Sequence, residues 1–168
     1  MNDDAKKTAL RMIPYGLYVL TAKGADGQIA AACINWVTQM SFKPPLIAIG
    51  VKADSGAHAI IETTKEFVLN NLGKDGKGAA FAFFKPTVVE GNKLSGEPFI
   101  EGAVVKAPVL ESCPAHLECR VTDVVKRGDH TVFVAEVVEA NVKTQPAGRA
   151  DDAILWMKDL GEKMFYGG

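Results

Sequence analysis

The shorter of two hydrophobic periods dominates this chain. From Gln28 to Val51 the sequence reads as a small-residue apolar strand, then a polar loop from Asn35 to Ser41, then the pair Pro44-Pro45. A nearly wholly apolar run, Leu46 to Val51, follows. Ala, Ile, Leu and Val in runs of this length predict buried strands. Tyr15 to Ala22, with its strand-prone Tyr18, Val19, Leu20 and Thr21, predicts the first strand. Lys23 to Gly27 predicts a tight turn into the second, because Asp-Gly suits a hairpin. Glu66 to Leu72 is another strand. In Ala115 to Val125, Leu117, Cys119 and Val121 alternate with His116, Glu118, Arg120 and Thr122, the pattern of a half-buried antiparallel strand. Arg127 to Asp129 turns it back into Thr131 to Val142.

Helical signals are short. Asp3 or Asp4 caps a helix through Met12 that Pro14 ends, and Asp54 or Ser55 caps a second to about Thr63. Gly73 to Phe84 closes on Ala79 to Phe84, which fits a helix packing aromatics inward. Lys85 to Pro108, punctuated by Gly and Pro, predicts a long excursion with little regular structure. Gln145 to Arg149 is loop, Asp151 or Asp152 caps a last short helix, and Phe165 to Gly168 trails out. About six or seven strands with short helices between them predict a mostly β fold, a closed antiparallel barrel decorated by helices. Residues 1–168 are expected to form one domain.

Composition narrows the function classes. A net charge of −1 leaves no footprint for nucleic acid or an anionic membrane. No apolar run reaches the length of a membrane span, and the polar first ten residues do not resemble a signal peptide. Cys33, Cys113 and Cys119 form no CxxC pair, which points to a reducing, cytoplasmic setting.

The chemistry gathers at the loop and at the helix start that follows it. Asn35, Trp36, Val37, Thr38, Gln39 and Ser41 offer unladdered backbone groups and short polar side chains, which suit a planar polar ligand as well as an ordinary loop. Lys52 at a strand end and Ser55 at a helix cap supply charge and free amides for an anion. Asn70, in an otherwise apolar strand, must satisfy its amide on backbone or on ligand, and Asn71 points the other way. His116 and Glu118 share a strand face without a third ligand, so no metal site is expected. No G-x-G-x-x-G opens a helix after a strand, so a dinucleotide would not bind in a Rossmann crevice.

Four features in order carry a resemblance: the Asn/Ser/Thr loop with Ser41-x-x-Pro44-Pro45, the apolar strand after it, Phe67-Val68-Leu69-Asn70, and Gly128-Asp129-His130 leading into Thr131 to Val138. Together, across Tyr15 to Val142, they resemble the flavin reductase-like FMN-binding split-barrel family, in the form found in flavoredoxins and flavodiiron-type proteins. The resemblance implies an antiparallel split β-barrel with Greek-key connections and FMN as cofactor. It places ring and ribityl contacts on Asn35 to Gln39, the phosphate near Lys52 and Ser55, and a further contact at Asn70. Ala57 stands where relatives carry a Thr, which leaves room for His58 or Lys85 at the phosphate. His130 would lie beside the flavin as the catalytic residue; otherwise it merely closes its turn. Trp36 would touch the flavin or pack at a subunit interface.

The implied activity is electron transfer from NADH or NADPH through flavin to free flavin, ferric iron or a redox protein. A homodimer with flavin at its interface would carry it. The alternative is an FMN-binding electron-carrier module without NAD(P)H turnover. Pro44-Pro45 and Gly128-Asp129-His130 argue against the pyridoxamine-phosphate oxidase and haem-utilisation branches of split barrels.

Overall fold

The computed structural model describes all residues, Met1–Gly168. Helix α1 spans Asp3–Arg11, and the strands β1 (Tyr18–Lys23), β2 (Ile29–Ile34), β3 (Val37–Phe42) and β4 (Pro45–Lys52) follow it. Then come α2 (Gly56–Thr64), β5 (Glu66–Asn71) and α3 (Lys77–Ala82). Four short strands, β6 (Val89–Glu90), β7 (Lys93–Leu94), β8 (Glu97–Glu101) and β9 (Pro108–Leu110), precede the long hairpin β10 (Ala115–Lys126) and β11 (His130–Val142). Two 3-10 turns, Ala150–Asp152 and Met157–Leu160, come last.

Seven strands form one antiparallel sheet in the order β2-β1-β5-β10-β11-β4-β3. The β10–β11 hairpin inserts between β5 and β4, which α2 connects. Register shifts at Glu118/Cys119 and Val121/Asp123 bend the hairpin. The sheet curls until Leu20, Ile49, Phe67, Cys119 and Phe133, from five different strands, meet in one cluster with Ile60 and Ile61 of α2. It does not close. The end strands β2 and β3 share no ladder, so the split form stands and the closed barrel expected from strand count is corrected. Only Asn35 and Trp36 link β2 to β3, so the two ends of the curled sheet lie close together without pairing.

Several local expectations give way to tertiary pairing. Asn2 caps α1, its side chain accepting from the Ala5 amide at 2.8 Å, in place of Asp3 or Asp4. Most of the expected loop Asn35 to Ser41 is strand, because Val37 to Phe42 pairs with β4. The excursion Lys85 to Pro108 holds a second, four-stranded sheet, β6-β7-β8-β9. Buried polar side chains help dock that sheet on the main one, and Thr21 Oγ1 donates to the Pro108 carbonyl. The Asn70 amide donates to the Val19 carbonyl at 3.1 Å, and its Oδ1 accepts from the Leu110 amide at 2.8 Å. Glu118 is fully buried rather than on a solvent face. Its carboxylate accepts from the amides of Ala103, Val104 and Val105 at 2.9, 2.8 and 2.5 Å. Gly102 permits this approach, since a Cβ there would meet the Val105 carbonyl and the Glu118 carboxylate.

The end of the chain does not trail free. Leu155 accepts from the Leu17 amide and donates to Leu72, at 2.9 and 2.8 Å, lacing the segment between β1 and β5. From there Phe165 to Gly168 returns to the β2–β3 connection, Gly167 lying against the Trp36 indole.

Because three amides share the Glu118 carboxylate, Glu118→Gln turns an N–H donor on at least one of them. A buried hydrogen bond to a charged group contributes about 1.5–3 kcal/mol. Urea unfolding should therefore show a stability loss of about that size, with an unchanged slope.

Candidate functional site

Where β2 hands over to β3, the chain builds a slot beside the start of β11. Trp36 fixes it. Its carbonyl accepts from the Gly50 amide at 2.8 Å. Its indole lies on the same residue, where a Cβ would come within 3.1 Å of Cε3, so Gly50 lets the ring pack flat on β4. The ring also sits 4.4 Å from the His130 ring, centroid to centroid. Its Nε1 is buried and has no partner. Asn35, 3% exposed, points into the slot and donates through Nδ2 to the Tyr166 carbonyl at 3.0 Å.

The slot has a volume of about 230 Å³, and Asn35, Lys52, Ser55, Phe84, His130 and Tyr166 are among its walls. Ser55 caps α2, its Oγ accepting from the His58 amide at 3.2 Å. No backbone acceptor takes the amides of Gly56 and Ala57, which leaves donors at the helix start. Lys52 Nζ is exposed and rests on Asp54 Oδ2 at 3.1 Å. The slot thus has a cationic, donor-rich end and an aromatic end. Cys33 also lines it, but burial pushes that thiol up to about 12, so it stays protonated and inert.

His130 pairs with Lys52 across β11 and β4. Its Nδ1 lies 2.9 Å from Asp129 Oδ1 and its Nε2 lies 2.8 Å from the Tyr166 hydroxyl. A carboxylate only accepts, so Nδ1 carries the proton and Nε2 of the neutral ring accepts from the phenol. The hydrogen bond from His130, reinforced by its charge when protonated, holds the Asp129 carboxyl below its ordinary range. Burial pushes the Tyr166 phenol up, so it remains a donor.

The structure brings Asn35, Lys52, Ser55 and His130 to this one slot, with Trp36 behind them. It separates the other sequence candidates from it. Val37, Thr38 and Gln39 line a different groove together with Tyr18, Leu69 and Asn71, because pairing with β4 turns β3 away from the slot. Ser41 sits further along that edge strand, its carbonyl accepting from Gln39 Nε2 at 3.4 Å. His58 faces the core, where Nε2 bonds Thr131 Oγ1 at 2.8 Å and the ring packs 5.4 Å from Phe133. The side chain of Asn70 is consumed by backbone partners. Lys85 is exposed on the bend after Phe84 and does not line the slot. Among the pair suggested for a metal, the Glu118 oxygens are already held by three amides.

Sequence reasoning missed Tyr166, Phe84 and Gly50. Two adjacent aromatics in an otherwise glycine-ended segment, Phe165-Tyr166-Gly167-Gly168, were the available signal for the first.

Comparison with known proteins gives a consistent result. A family model described as "Flavin reductase like domain" matches residues 10–159. A 4-nitrophenol 4-monooxygenase/4-nitrocatechol 2-monooxygenase reductase component of Rhodococcus opacus is 34% identical, over 77% of this chain and 66% of the relative. This chain therefore spans about two thirds of that protein's length. An NADH:riboflavin 5'-phosphate oxidoreductase of Streptomyces pristinaespiralis is 28% identical, over 90% of this chain and 82% of that one. The solved styrene monooxygenase flavin reductase of Pseudomonas putida S12 superposes with a TM-score of 0.71 at 25% identity, covering 83% and 88% of the two chains.

The buried His58 generates a pH dependence. Desolvation, helped by the positive charge of Lys126, holds its imidazole below the ordinary value. The unfolded chain takes up that proton near about pH 6.5, while the folded one resists it. His58 thus favours the fold above about pH 6.5, and this contribution is lost as the pH falls below it. Between about pH 7 and pH 5 the melting temperature should drop more steeply for the native protein than for His58→Gln. Parallel curves would remove His58 as the cause.

Proposed function

This chain belongs to the flavin reductase like domain family. From that premise we propose that it passes electrons from NADH or NADPH through FMN to free flavin, ferric iron or a redox protein. One observation carries the reading: a helix start with free amides, a lysine, a buried amide side chain and a histidine converge on one slot. The relatives named NADH:riboflavin 5'-phosphate oxidoreductase and monooxygenase reductase component support the donor, the cofactor and a protein acceptor.

The residues present fit FMN. The Gly56 and Ala57 amides and the Ser55 hydroxyl receive the phosphate, and Lys52 adds charge once it leaves Asp54. The second N–H of the Asn35 amide, beside the one on the Tyr166 carbonyl, is a donor available to the ring. When bound, FMN supplies the hydride acceptor and the carrier of single electrons. His130, its Nδ1 held by Asp129, orients the donor and needs to move no proton.

A second copy of the chain completes the site in this reading. The slot is smaller than the roughly 300–1,000 Å³ typical of a ligand pocket. Trp36 separates it from the groove of Tyr18, Val37, Leu46, Leu69 and Val137, where the Asn71 Oδ1 is buried without a donor. Edge strand β3 lines this groove, and Phe42 at its end is 86% exposed. A homodimer docked there would cover both and bring partner atoms to the flavin. Three free cysteines favour a reducing cytoplasm. No helix is long and apolar enough to cross a membrane.

Anaerobic spectra test the function. FMN-loaded protein should bleach with NADH or NADPH; bleaching only with dithionite would leave an electron carrier. Lys52→Ala and Ser55→Ala should each weaken FMN more than riboflavin, by about tenfold or more, since a charge-assisted phosphate contact contributes about 1.5–3 kcal/mol. Equal losses for both ligands would move the phosphate site. Light scattering should give a dimer at micromolar concentration, and an FMN-bound monomer would overturn the dimer.

A further inference from the structure

Two cavities lie on either side of Tyr166. One is the slot; the other, of about 500 Å³, has Tyr15, Met157 and Met164 in its apolar floor and Arg11 and Lys158 at its edge. Tyr166 and Met157 line both cavities, so the phenol is the removable part of the wall between them.

We propose that Tyr166 is a gate across one continuous cleft, and that the larger half receives the dinucleotide of the hydride donor. The inference rests on the function proposed above and adds where the donor binds and what it must displace. The segment Phe165 to Gly168 is held down by groups that a nicotinamide dinucleotide would itself use. Asn35 donates to the Tyr166 carbonyl at 3.0 Å, and the Tyr166 hydroxyl meets His130 Nε2 at 2.8 Å. A primary carboxamide offers the same two functions, a carbonyl for Asn35 and an N–H for His130. Arg11 donates from Nε to the Gly167 carbonyl at 3.5 Å, and its guanidinium stands 4.2 Å over the Phe165 ring. A diphosphate entering the larger cavity would take that guanidinium and the exposed Lys158.

The closed segment is not sealed: Tyr166 remains 45% exposed. It hangs from Gly161, whose φ of 141 lies in a region that glycine alone enters freely, which suits a hinge. The donor also arrives from the outer side. FMN fills the inner slot, between the α2 start and Asn35, whereas Tyr166 lies on the solvent side of His130. Closed, the segment covers the aromatic end from water; open, it yields that place to the donor. A binding-competent form populated only in part lowers the apparent affinity by that fraction.

The test titrates NAD+ or NADP+, whichever nucleotide bleaches the native protein when reduced, into FMN-loaded protein by calorimetry. Tyr166→Ala removes the ring and its bond to His130 and keeps the backbone bond to Asn35, so it should tighten binding about two- to tenfold and lower the KM of the reduced nucleotide by a similar factor. Tyr166→Phe, which keeps the ring and loses only the bond to His130, should move part of the way and guards against a folding defect. Lys158→Gln should weaken binding severalfold, the difference shrinking as salt rises. Unchanged or weaker binding in Tyr166→Ala would make the phenol a fixed wall and overturn the gate. No effect of Lys158→Gln would overturn the assignment of the larger cavity. Failure of the native protein to bleach with either nucleotide would instead sink the parent function, so the two failures are told apart.

Discussion

The packing of Trp36 on Gly50 is the contact on which the rest of the site depends. One backbone hydrogen bond and one flat ring-on-backbone contact fix where the chain leaves β2 and enters β3. Asn35 is thereby aimed into the slot, while Val37 to Gln39 turn to the opposite groove. The same indole sets the distance to His130 across β4 and β11. A side chain at position 50 would lift the ring and loosen all three placements at once. The buried Nε1 without a partner shows that this packing is held at a cost.

Two buried polar side chains do for the second sheet what Trp36 does for the slot. Asn70 ties β5 to β1 and to β9, and Glu118 gathers the three amides of the loop before β9. Each is fully enclosed, so neither tolerates a missing partner. An apolar pair would bury as much surface without dictating register; these groups bond only one arrangement of the four short strands.

The functional end of the molecule is assembled from distant pieces of chain. The helix start at Ser55, the hairpin end at His130 and the segment around Tyr166 meet at one opening, and Asn35 lies between them. Regular elements carry Ser55 and His130 to the opening, whereas Tyr166 rides on a short glycine-flanked segment.

How much of this was written in the sequence follows the range of each interaction. Strand β10, the Asp-Gly turn before β2 and the Ser55 cap of α2 are local, and all stand in the structure. The order of four motifs was enough to indicate the family and its split form. Local pattern misread Asn35 to Ser41 as loop, because short polar side chains also suit an edge strand once β4 offers its free edge. It left Glu118 on a solvent face, because only the loop from Gly102 covers that face. It left Asn70 open between backbone and ligand, and the resemblance left room for His58 at the phosphate; in the structure both side chains bond segments tens of residues away. Tyr166 was invisible for the same reason: nothing near it in sequence requires it to lie on His130, 36 positions earlier. Strand, cap and turn were set by neighbours along the chain; which side chains face the slot was decided only when the sheet curled.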